Sequence, residues 1–232
     1  MNRLVQKIGF WASLIAAISF VIFTICFVAI AATQDLIMWT NLDDYFKSIL
    51  NNNQIYKYVA QTCVLVFGLS YLAILNCIGE IADPKKKILS KISISFGIIF
   101  ITLIGINYFI QITAVQFNIQ AGITDGLSNW IMLNPNSISL SIAMLGWTIM
   151  FGLSSLFAAS IFEGKGISRT IRVLFVVNGI FCLLGGFGFL IQNITLVNLT
   201  MNMGMGGVMT ILTIVLSRYF WKKRITTPPQ SI

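Results

Sequence analysis

The chain has 232 residues, of which 57% are hydrophobic and only 9% charged, with a formal net charge of +8. That composition excludes a soluble domain, because uncharged runs of about twenty residues cannot be covered by a water-facing surface in so small a protein and belong in lipid. The positive charge does not point to nucleic acid either. Its Lys and Arg residues sit at the ends of apolar runs, where membrane topology places them, and not in a cluster that would displace counterions from phosphates.

Helix is the local structure expected of these runs, since a backbone in hydrocarbon must satisfy its own donors and acceptors, and none of them alternates in polarity as barrel strands do. The fold class read from the sequence is all-α: one polytopic transmembrane domain over 1–232 with spans at 8–32, 58–78, 92–115, 137–162, 171–192 and 199–219. At 1.5 Å per residue each span reaches about 30 Å or more, enough to cross with some tilt. Residues 220–232 read as a short basic tail.

The first span opens with Arg3 and Lys7 and carries Ala29, Ile30 and Ala31 near its end, an arrangement shared with signal peptides. Its apolar region, about 21 residues, exceeds the usual h-region, so it reads as a retained span, with cleavage as the competing reading. After it, Leu36, Trp39, Leu42, Phe46, Ile49 and Leu50 recur at three- and four-residue spacing opposite Asp35, Asp43, Asp44, Lys47 and Asn51. This predicts an amphipathic helix lying along the outer interface, either as padding or as a lid.

Assigning the basic residues to sides orients the chain. Arg3 and Lys7, then Lys85, Lys86, Lys87 and Lys91, then Lys165, Arg169 and Arg172, then Arg218, Lys222, Lys223 and Arg224 share one face, thirteen in all, against Lys47 and Lys57 on the other. Both termini are therefore expected in the cytoplasm. Trp11, Tyr219 and Trp221 mark the inner edge, and Trp39, Tyr56, Tyr58 and Trp130 the outer one. Abundant Ile, Asn and Lys fit an AT-rich prokaryotic genome, so the expected location is a prokaryotic cytoplasmic (inner) membrane.

The stretch 92–162 carries most of the neutral polarity. Asn107, Gln111 and Asn118 form one helical stripe, and Thr113, Gln116 and Gln120 another. A carboxamide in lipid without partners costs several kcal/mol, roughly, so Asn107 and Gln111 are expected to face other helices or a wet cavity. Beyond them, Ile123, Leu127, Trp130 and Ile131 predict a second, shorter amphipathic helix, with Thr124 or Asp125 available as its N-cap. The candidate polar cavity or interhelical contacts are thus Asn107, Gln111, Gln116, Trp130 and Trp147.

Later spans are marked by small residues: Gly152, Ser155 and Ala159 in the fourth, Gly179, Gly185, Gly186 and Gly188 in the fifth, Gly204, Gly206 and Gly207 in the sixth. Such faces let backbones approach where lipid supplies no hydrophobic drive. The four cysteines, Cys26, Cys63, Cys77 and Cys182, lie singly in apolar runs and read as packing residues. Asn178 is expected to bond backbone or headgroups.

Histidine is absent, which removes Ser-His catalysis, imidazole-ligated metal or haem, and imidazole proton shuttles. No Asp, Glu, Lys or Arg lies well inside a span, so carboxylate-based proton coupling has no group to use. No catalytic, cofactor-binding or metal-ligating set is assigned, and no cofactor is expected.

Four motifs, DGLSNW at 125–130, NPNS at 134–137, LGW at 145–147 and RTIRVLFVVNG at 169–179, resemble small six-span prokaryotic integral membrane proteins for which no activity is established. In such sequences an acidic residue is expected just before the LGW triplet; this chain has Ala143 and Met144 there, so the resemblance implies no proton-linked role.

Two functions remain open. One is a non-enzymatic structural or interaction protein whose partners are the lipid bilayer and, through the small faces, a second copy or another membrane protein. The other is a facilitator or binding protein for a small neutral or amphipathic molecule, using an outward-facing cavity lined by the third and fourth spans.

Overall fold

A peptide segment in hydrocarbon satisfies its N–H and C=O groups only within itself, and all six apolar runs are helical accordingly. The structure, a computed structural model, describes residues 2–33 and 38–226, leaving aside the side chains at 203 and 223–226. Among these residues there is no strand, and the helices are α1 (Arg3–Thr33), α2 (Leu42–Asn51), α3 (Ile55–Ile81), α4 (Lys87–Ile112), α5 (Ala114–Ala121), α6 (Ile138–Met144), α7 (Phe151–Ala159), α8 (Ile167–Leu190), α9 (Ile194–Val197) and α10 (Gly206–Thr226). Six stretches are long and apolar enough to cross a membrane: Arg3–Thr33, Ile55–Ile81, Pro84–Ala121, Ile138–Ala159, Ile167–Leu190 and Ile194–Lys222. The chain is an all-α polytopic protein.

Each span packs on its neighbour in sequence, and the first closes on the last: α1 lies against α3 and α10, α3 against α4, α4 against α7, α7 against α8, and α8 against α10. The result is a ring of six helices whose termini share one face. Its interior is filled by aromatic rings, with Phe100 and Phe151 stacked at 4.6 Å, Tyr71 edge-on to Phe151 at 4.9 Å, and Phe20 edge-on to Phe67 at 5.0 Å. Offset and edge contacts of this kind add about 0.5–1.5 kcal/mol each beyond the area they bury. Cys182, Met209, Leu212 and Leu216 complete the core from α8 and α10.

Two spans pass through π-helical turns, Leu145–Met150 between α6 and α7 and Asn198–Met205 between α9 and α10. A π turn inserts one residue into the helical repeat and rotates everything beyond it. The LGW triplet lies in the first of these turns, where Trp147 meets Phe100 at 5.0 Å and Phe67 at 6.0 Å.

The third span is longer than expected. It does not end at 115 but continues, after a break at Thr113, as α5, and the whole stretch of 38 residues measures about 57 Å. That is longer than the roughly 30 Å of a hydrocarbon core, and α5 forms its end on the face opposite the termini.

The first connecting helix is shorter than the pattern suggests. It starts at Leu42, capped by the Asn41 side chain, which accepts from the Asp44 N–H. Asp35 and Leu36 lie outside the described residues. The helix packs onto α5: Tyr45, Val115, Ile119, Leu127 and Ile131 form a second apolar cluster, with Leu42, Phe46 and Ile49 against it. Leu50, expected on that face, is 77% exposed.

The second amphipathic helix does not form. Only Leu127–Trp130 makes a single 3-10 turn: Gly122 (φ 69°) ends α5 in the left-handed conformation, and Gly126 (φ 70°), also left-handed, stands immediately before the turn. Leu127 and Ile131 are buried, but Ile123 is exposed, and neither Thr124 nor Asp125 caps the turn. At the other end α10 runs past Tyr219 to Thr226, into the expected tail, and residues 227–232 lie outside the description.

Candidate functional site

The site begins with the local chemistry of the NPNS motif. Asn134 accepts from the Asn136 N–H at 3.0 Å, Pro135 keeps the helix from starting early, and the Ser137 hydroxyl caps α6 by accepting from the Leu140 N–H at 3.0 Å. This start places Ser139 in the first turn of α6, facing α4.

Across from it, Asn107 and Gln111 lie one turn apart on α4, each 1% exposed. The Ser139 hydroxyl donates to Asn107 Oδ1 and accepts from Gln111 Nε2 at 2.9 Å. Gln111 also treats the loop as a peptide treats its neighbour in a sheet: Nε2 donates to the Trp130 carbonyl at 2.6 Å, and Oε1 accepts from the Met132 N–H at 3.2 Å. Asn107 Nδ2 points at the Met132 sulfur at 3.1 Å. One carboxamide pair therefore ties α4, α6 and the loop together.

The expected set divides into three. Asn107 and Gln111 meet each other through Ser139, and Trp130 joins them by its carbonyl while its ring is exposed. Gln116 belongs elsewhere, accepting from the Tyr58 hydroxyl at 3.0 Å. Trp147 sits in the aromatic core, against the rings of Phe67, Phe100 and Phe151.

A second polar group, absent from the expectations, links four spans. The Ser93 and Ser154 hydroxyls bond to each other's carbonyl oxygens at 2.8 and 2.9 Å. Because the Ser154 hydrogen is spent, the Tyr71 hydroxyl is the donor in its 3.1 Å contact with Ser154 Oγ. Ser155 Oγ lies 3.4 Å from the same Tyr71 hydroxyl and accepts from Asn178 Nδ2 at 2.8 Å. Asn178 thus bonds a side chain inside the bundle, where backbone or headgroup was expected. Tyr71, Ser154, Ser155 and Asn178 are all buried.

Small residues let these groups approach. A Cβ on Gly179 would stand 2.9 Å from the Gly152 carbonyl oxygen and 2.5 Å from Leu156, so α7 and α8 touch nearly backbone to backbone. Gly186 faces Thr148 in the π turn, and Gly204 lies under the Phe181 ring, whereas nothing stands within 4 Å of a Cβ at Gly207.

At the termini face, Lys86 pairs with Glu163 and donates to the Ser160 carbonyl at 2.7 Å, joining the second and fourth connections. Lys87 donates to the Gly79 carbonyl at 2.7 Å. Among the described residues the four cysteines are free, and no three His, Cys, Asp or Glu side chains are placed to hold a metal. The chain matches no protein-family model, no curated protein and no solved structure.

Proposed function

We propose that the chain is a non-enzymatic structural or interaction protein of a prokaryotic cytoplasmic membrane, with both termini in the cytoplasm. The observation that carries this reading is how the polarity is spent. Asn107 and Gln111, on its most polar span, bond to Ser139, Met132 and the Trp130 carbonyl. What the bundle turns outward is apolar: along α1, Leu4, Ile8, Trp11, Ile15, Ile18, Ile22 and Ile25 recur in alternating steps of four and three, all exposed. A stripe with that repeat suits either lipid tails or a second helix. Thirteen basic residues on the termini side support the orientation.

The test uses the full chain purified in mild detergent and reconstituted in liposomes. The reading expects Asn107→Leu and Gln111→Leu to lower thermal stability without changing the passage of small neutral solutes. Flux through the wild type that falls in folded variants overturns it in favour of a facilitator. A reporter fused to the C-terminus is expected to be active in the cytoplasm, and activity only outside it overturns the orientation.

A further inference from the structure

On the face opposite the termini, side chains from α2, α3 and α5 meet. Lys57, at the start of α3, donates from Nζ to the Tyr45 hydroxyl at 2.7 Å, with its ammonium 5.1 Å from the centre of that ring. The next residue, Tyr58, donates to Gln116 Oε1 at 3.0 Å. Tyr45 packs with Val115 and Ile119, on either side of Gln116 in α5. Burial, and then the nearby Tyr58 phenol, push the Tyr45 hydroxyl well above its ordinary range, so it remains a neutral donor.

What this group leaves unspent is donors. Gln116 is 4% exposed, and its Nε2 has no partner. The Tyr45 oxygen accepts from Lys57 and keeps its own hydrogen, and half-buried Lys57 has two further N–H groups. Among the described residues no Asp or Glu pairs with Lys57; Asp44 instead accepts from Thr40 and Asn41 and faces Lys47. A cation flanked by neutral donors, without a carboxylate, is complementary to an oxyanion. Ile55, Tyr56 and Val59, around Lys57 on α3, are exposed and offer apolar surface to an acyl chain.

We propose that Lys57, Tyr45 and Gln116 seat a phosphate group, that of an anionic lipid in the leaflet opposite the termini. Lys57 supplies the charge, the Gln116 amide and Tyr45 hydroxyl supply direction, and α2 closes over the group. The inference holds whichever way the protein's own role is decided, because it needs only the bilayer.

The full chain in nanodiscs of phosphatidylcholine and phosphatidylglycerol, read by native mass spectrometry, tests it. Wild type is expected to retain phosphatidylglycerol selectively, Lys57→Gln to lose about five-fold of that preference, and Lys57→Arg to keep it. Lys47→Gln, at an exposed lysine of α2 on the same face of the bundle, is expected to change nothing. Equal losses from Lys47→Gln and Lys57→Gln overturn the proposal, since surface charge alone then explains retention. If Lys57→Gln does not fold, Gln116→Leu decides: retention lowered supports the seat, retention equal to wild type overturns it. Inorganic phosphate titrated into pure phosphatidylcholine discs, followed by fluorescence of Trp39, 5.9 Å from Tyr45, separates the sources. A saturable change lost in Gln116→Leu supports the phosphate seat and assigns it to a soluble ion; no change here and no lipid preference overturns both.

Discussion

Ser93 on α4 and Ser154 on α7 bond to each other twice, each hydroxyl donating to the other residue's carbonyl oxygen, at 2.8 and 2.9 Å. These carbonyls belong to helical turns, so each serine adds an acceptor contact between spans without disturbing its own ladder. The pair also carries the Tyr71 hydroxyl, and through Ser155 it reaches Asn178. Interhelical bonds in membranes average about 0.6 kcal/mol, because a loosened helix finds other partners. Ser93→Ala and Ser154→Ala are each expected to cost about that amount in unfolding in detergent, and the two losses to add, because each alanine keeps the carbonyl that the other hydroxyl uses. Coupling well beyond about 0.5 kcal/mol would show that the two bonds form only as a unit.

Gln111 is expected to matter more than Asn107. Replacing Gln111 by Leu strands the Trp130 carbonyl and the Met132 N–H and removes a partner of Ser139, a loss of about 1–3 kcal/mol. Replacing Asn107 removes one hydroxyl bond and a contact to a thioether, a weak acceptor. Thermal denaturation ranks the two, and protease access at 130–132 should rise only for Gln111→Leu. A reversed ranking would mean the loop is held by other contacts.

Gly179→Ala should destabilise by about 1–3 kcal/mol despite the better helix propensity of Ala. The added methyl meets the Gly152 carbonyl oxygen at 2.9 Å, which is backbone and cannot swing away. Gly207→Ala, with open space around it, is the matched control and should be neutral or stabilising. Melting temperatures of the two variants, compared in one detergent, decide the point.

At the termini face the two partners of one ion pair should respond unequally. Glu163 is 71% exposed along its side chain, so Glu163→Gln costs less than about 1 kcal/mol. Lys86 is 17% exposed and also holds the Ser160 carbonyl, so Lys86→Ala is expected to cost about 1–3 kcal/mol. Raising the salt concentration should erase the first effect and leave most of the second. Equal, fully salt-sensitive losses would show that only the charge pair counts.

The sequence by itself determined the class of the molecule and the count of its crossings. Uninterrupted apolar runs leave a chain no other way to satisfy its backbone in lipid, and basic residues at alternate ends predict a side for each loop. It also marked the polar stripe of the third span and the small faces of the fourth and fifth. The partners were not legible. Nothing in the spacing of Asn107 and Gln111 names Ser139, whose position follows from where NPNS lets α6 begin, or the Trp130 and Met132 backbone, which the turn between Gly122 and Gly126 brings back. Leu42, Phe46 and Ile49 follow helical spacing, so part of the packed side of α2 was readable, but not Tyr45, its buried residue; nor was its contact with α5, which needs the third span to run on past Thr113. Only the tertiary structure decided which polar atoms are spent and which are left over, because hydrogen-bond satisfaction depends on groups distant in sequence arriving within about 3 Å of one another.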